Sequence, residues 1–69
     1  MATYTVTFLS RDRNGQFKKR HKRISAVSHQ DVLAYITHGH RHGKWDLEGD
    51  ITVRGPVGHS DYETVTFEK

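Results

Sequence analysis

The chain has 69 residues, a net charge of +3 and no cysteine. That length holds one domain with a small core, and the missing thiols exclude a disulfide framework and a thiolate metal site. No run approaches the roughly 18 apolar residues of a membrane span and no signal-peptide pattern opens the chain, so the expectation is a cytoplasmic protein without a membrane partner.

Charge is unevenly spread along the chain. Residues 1–23 carry seven Lys and Arg against the single acid Asp12, a local balance of +6, whereas residues 24–69 carry four bases and seven acids, a balance of −3. Segregation of this kind marks an interaction surface more than the modest total does.

Taken in order, Thr3–Leu9 alternates Tyr4, Val6 and Phe8 with threonine, which predicts a half-buried strand. Asn14-Gly15 is a strong hairpin signal, because a type I′ turn needs positive φ at both central residues. Phe17–Ser25 is then the return strand. A two-residue turn pairs Arg13 with Gln16, Arg11 with Lys18, Leu9 with Arg20 and Thr7 with Lys22. Opposed residues share a face, so Arg11, Lys18, Arg20 and Lys22 gather with the threonines, while Tyr4, Val6 and Phe8 lie opposite His21 and Arg23. A one-residue change in the turn exchanges these faces.

Residues 27–39 predict a helix. Ser28 is a suitable N-cap, Asp31 lies near the positive end of the helix dipole, Val27 and Val32 stand at the positions of a hydrophobic staple, and Gly39 is a C-terminal stop. Residues 45–47 read as a short strand. Residues 50–55 and 61–68 alternate again, joined by a turn-rich Gly55–Ser60.

The fold class is therefore α+β, a ββαββ chain with one helix packed on a four-stranded, mainly antiparallel sheet, in a single compact domain spanning 1–69. The order also suits a β-grasp, an analogy of fold that carries no function. The expected core is Tyr4, Val6, Phe8, Ile24, Val32, Leu33, Ile36, Trp45, Leu47, Ile51, Val53, Val65 and Phe67.

The stretch Arg11–Arg23 exceeds what protection of a sheet edge needs, since its self-repulsion costs stability. Alternate residues of a strand stand about 6.8 Å apart, near twice the 3.4 Å rise per nucleotide of one DNA strand, and a two-stranded ribbon fits the major groove. The expected function is a small basic nucleic-acid-binding module that contacts the backbone of duplex DNA through this hairpin. Arg11, Lys18, Arg20 and Lys22 lead as phosphate contacts, with Arg13, Lys19 and Arg23 as near equals. The alternative is a small regulatory protein, of the size that phages and mobile elements encode, which binds and modulates an acidic host protein.

The strand Tyr4–Phe8, the turn Asp12-Arg13-Asn14-Gly15, the basic strand Lys18–Arg23 and the capped helix Ser28–Ile36 together resemble the amino-terminal arm-type DNA-binding domains of phage-type tyrosine recombinases. The resemblance covers about residues 4–38 and implies a small sheet that contacts DNA. The chain departs from those domains in segment 40–69, and it carries no recombinase catalytic domain.

His38, His40 and His42 alternate. An extended segment would point all three rings one way, with Asp46 as a fourth zinc ligand. The competing reading is a cationic loop beside Arg41 and Lys44, and no metal or other cofactor is expected. His59-Ser60-Asp61 holds the residue types of a hydrolase triad, but adjacent side chains point apart. No phosphate-cradling glycine loop is present and the core is too small for a deep pocket, so no enzyme is expected.

Overall fold

The computed structural model describes residues 1–67. It contains β1 (Ala2–Arg11), β2 (Phe17–Ala26), α1 (His29–Arg41), β3 (Leu47–Arg54) and β4 (Tyr62–Phe67). The sheet order is β2-β1-β3-β4 with every neighbouring pair antiparallel. This is the expected ββαββ class. It lacks the parallel central pair that would make it a β-grasp, because α1 carries the chain from the β2 edge across β1 to β3. The predicted end of the last strand at Glu68 lies outside the described residues.

Alternation decides the faces. Tyr4, Val6 and Phe8 of β1 and Leu47, Ile51 and Val53 of β3 turn inward and are buried, and α1 closes over them with Val32 and Ile36. Ala26 joins this core. Ile24, Leu33, Trp45 and Phe67 pack around it, partly buried. Val65, expected inside, is 37% exposed, because it sits on the edge strand beside an open groove that separates β4 from the helix.

The helix begins as the sequence predicts. Ser28 accepts a hydrogen bond from the Asp31 N–H at 3.3 Å, and the Asp31 carboxylate accepts one from the Val27 N–H. There is no hydrophobic staple, since Val27 is 73% exposed. Nor does Gly39 stop the helix. The chain remains helical to Arg41, and its end is a Schellman arrangement around Gly43, in which Lys44 N–H donates to the Gly39 carbonyl and Gly43 N–H to that of His40. Gly39 is instead a seat for Trp45, whose indole lies where a methyl group would be. The Trp45 Nε1–H donates to the Ile36 carbonyl at 2.8 Å. Trp45 and Asp46 are therefore not in a strand, and β3 begins at Leu47.

The hairpin loop corrects the predicted register by one residue. Arg11 pairs with Phe17, Ser10 with Lys18, Leu9 with Lys19, Phe8 with Arg20, Thr7 with His21 and Val6 with Lys22. Only Gly15 has positive φ, at 81°, so Asn14 does not supply what a type I′ turn requires. The loop is a type I turn followed by a left-handed glycine. Gly15 N–H donates to the Asp12 carbonyl at 3.1 Å and Asp12 N–H to the Gln16 carbonyl at 2.8 Å. The Asp12 carboxylate fixes this form by accepting from the N–H groups of Asn14 and Gln16.

Candidate nucleic-acid interface

The register change redistributes the cations. Lys18, Arg20 and Lys22 share the inward face with Tyr4, Val6 and Phe8, whereas Lys19, His21 and Arg23 share the opposite, open face with Thr3, Thr5, Thr7 and Arg11. The face predicted from a two-residue turn, with Arg11, Lys18, Arg20 and Lys22 beside the threonines, does not form. The inward cations escape burial because the helix covers only the far end of β2. Exposure is continuous from Phe17 to His21 and falls toward Ala26. A trough of about 320 Å³ along β2 is lined by Lys18, Lys19, Arg20, His21 and Lys22.

Three of the leading cations have partners within the chain. Arg11 lies 3.6 Å from the Asp46 carboxylate and 4.8 Å over the Phe17 ring. Lys18 lies 3.6 Å from Asp12. The Lys22 ammonium stands 5.0 Å over the Trp45 indole, a contact worth about 0.5–1 kcal/mol at an exposed site. Arg13, Lys19, Arg20 and Arg23 form no ion pair among the described residues. Asp12 itself titrates below its ordinary value, chiefly because the Gln16 N–H donates to its carboxylate, with Asn14 and Lys18 adding to the effect.

Arg54 also belongs to the open face, and His21 is anchored on it. Arg54 of β3 stands opposite Thr5, and its guanidinium lies 5.7 Å over the Tyr62 ring. His21 is held by a 3.0 Å hydrogen bond between its Nδ1 and the Thr7 hydroxyl. The sequence contained a signal for Arg54, since Thr52 and Arg54 have the parity of one strand face, but the count of cations drew attention only to residues 11–23.

The histidine reading changes with the longer helix. His38 and His40 lie in α1 and His42 caps it. His38 and His42, four residues apart, bring their rings to 4.1 Å. His40 turns away toward the sheet, where its Nδ1 accepts from the Leu47 N–H at 3.2 Å and its ring meets Phe67 at 4.8 Å. The three rings therefore do not converge, and among the described residues no group of three or more His, Cys, Asp or Glu side chains is arranged to hold a metal.

A wider groove of about 560 Å³ runs between α1 and the β3–β4 edge, lined by Leu33, Ile51, Val65 and Phe67 together with Thr37, His40, Arg41 and Thr66. It is of mixed polarity and includes none of the hairpin cations. No helix among the described residues is long and apolar enough to cross a membrane. No protein-family model, curated protein or solved structure matches the chain.

Proposed function

We propose that this chain is a small nucleic-acid-binding module that contacts the backbone of duplex DNA with its β1–β2 hairpin, and that it is not an enzyme. The observation that supports this reading most is the set of four cations, Arg13, Lys19, Arg20 and Arg23, that project from one hairpin without a carboxylate partner among the described residues. Their mutual repulsion costs stability, and a polyanion relieves it. The trough along β2 gives the charge a linear form, and alternation sends cations to both sides of the strand. A ribbon edge of this kind can meet the two phosphate strands that flank a groove. Such contacts set affinity and position without reading sequence.

The test is the binding of a fluorescent duplex at low salt by the native chain and by a variant with Arg20→Glu and Arg23→Glu. Both side chains are exposed, so circular dichroism should stay native. Affinity should fall at least about tenfold, since two phosphate contacts are replaced by repulsion. Unchanged affinity would remove the hairpin as the contact. If the native chain failed to bind any duplex, the reading would pass to an acidic protein that engages the same strip.

A further inference from the structure

At the centre of the open face lies a shallow depression of about 360 Å³, lined by Thr5, Thr7, Lys19, His21, Thr52 and Arg54. Three of these side chains are cationic or can become so, three are hydroxyl donors, and none is a carboxylate. The register explains the convergence. His21, Thr7 and Thr52 stand side by side across three strands, so the row is centred on Thr7. Lys19 precedes His21 by two residues on β2, and Arg54 follows Thr52 by two on β3, so both stand on the same face at opposite ends of the row. Their long side chains can reach its middle from opposite directions.

The surroundings hold the donors in place. Contact with the Tyr62 ring steadies the Arg54 guanidinium. The Thr7–His21 bond fixes the imidazole by its Nδ1, which leaves Nε2 free of that bond. If the Thr7 hydroxyl donates to Nδ1, the ring proton is on Nε2. An imidazolium also carries a proton there, with Nδ1–H donating to Thr7. In both of these forms Nε2 is a donor; a neutral ring with its proton on Nδ1 donates to Thr7 and leaves Nε2 an acceptor, so a bound phosphate selects the first two forms. The Thr52 hydroxyl bonds that of Thr64 at 3.1 Å, and either can give the proton. Two acids border the Lys19 end of this face: Asp50 lines an adjoining depression together with Lys19, Thr7 and Thr52, and Glu48 stands across Leu9 from Lys19. Asp50 accepts from the Thr66 hydroxyl at 2.8 Å.

We propose that this depression seats one phosphate group, held by the Lys19 ammonium, the Arg54 guanidinium and the His21 Nε2–H, with threonine hydroxyls completing the shell. A planar guanidinium, an ammonium and neutral donors around a concave floor match the tetrahedral oxygens of a phosphate better than they match an extended acidic peptide. For the source of the phosphate the inference rests on the nucleic-acid reading, in which it is a backbone phosphodiester. It adds β3 to the contact, so that the duplex lies over the open face of the sheet as well as along β2.

The experiment uses the full chain with Lys19→Gln, Arg54→Gln and the double variant. Each is titrated with duplex DNA over a salt series, and the labelled native chain is titrated with inorganic phosphate and with duplex DNA by NMR. Because both cations serve one phosphate, each single variant should make the slope of log affinity against log salt shallower by about 1, and the double variant by little more. The Thr5, Thr7 and Thr52 amides should shift with both ligands. Duplex binding with an unchanged slope in the double variant would overturn the seat and leave the hairpin reading intact. Shifts of these amides with inorganic phosphate, without duplex binding, would keep the seat and overturn its nucleic-acid source. No shift with either ligand would overturn both.

Discussion

Gly39 shows how one missing methyl group organises the helix end. Glycine inside a helix costs about 1 kcal/mol relative to alanine. Here that cost is offset by an indole laid on the bare backbone, hydrogen-bonded to the Ile36 carbonyl and meeting the Phe8 ring at 5.6 Å and the Tyr35 ring at 6.0 Å. The substitution Gly39→Ala therefore sets better helix propensity against a methyl group inside the indole's volume. Overpacking of this kind typically costs about 1–3 kcal/mol, and a methyl group placed inside a ring belongs at the upper end, so the net result after the propensity gain should be a loss approaching about 2 kcal/mol. Urea denaturation of the variant measures it, and a midpoint at or above that of the native chain would mean that the indole does not need this seat. The same residue shows a limit of sequence reading. Gly39 and Gly43 both follow the apolar stripe of the helix, and periodicity does not distinguish a glycine that ends a helix from one that admits a ring. A stop at Gly39 cuts the helix short and places the helical residue His40 and the C-cap His42 in a loop.

Among the elements, the hairpin holds most of the proposed interface and was the least legible. Its existence, its strands and its charge followed from alternation and from Asn14-Gly15. Its register did not, because two loop types share that dipeptide and differ by one residue. The deciding group is Asp12, two residues before Asn14. Its carboxylate accepts the N–H groups of Asn14 and Gln16 at 2.9 and 3.0 Å and selects the three-residue loop. The consequence reached the candidate site, since every cation of β2 moved to the other face of the sheet relative to the threonines, while Arg11 stayed with them. The helix cap, by contrast, was readable at Ser28 because its signal is local and has one geometry. Asp12 also makes the loop sensitive to acid. Its folded value is depressed, so its contribution is full above the ordinary aspartate value near 3.9 and is lost as the pH falls through the lower, folded value. The Asn14 and Gln16 amide signals should hold steady from neutral pH to about 5 and then move together as Asp12 protonates. An Asp12→Asn variant should lack the transition. Amide signals that titrate identically in that variant would show that another group controls the loop.

At the scale of the whole molecule, the sheet separates charge across its width. β2 at one edge presents Lys18, Lys19, Arg20, Lys22 and Arg23, while Asp50 and Glu63 lie on β3 and β4 toward the other. Three strand spacings, about 14 Å, separate the two edges. A polyanion is thus drawn to the β2 side and repelled from the β4 side, which orients the encounter before any contact forms. The longest dimension is 36 Å, close to the roughly 34–36 Å of one turn of duplex, so the body can follow a groove for about ten base pairs without bending it. Such a footprint leaves electrostatics as the main source of affinity. With Arg11, Lys18 and Lys22 partly engaged inside the chain, the proposed interface leaves the remaining cations to neutralise three or four phosphates. Counterion release then gives a slope of log affinity against log salt of about −3 to −4 on duplex DNA, with little difference between unrelated sequences. An acidic protein partner would instead select by shape, and salt would act mainly on its association rate. Fluorescence anisotropy with two duplexes of unrelated sequence, over a salt series at neutral pH, measures both quantities. A slope near zero, or binding to one duplex alone, would contradict an interface built on backbone charge.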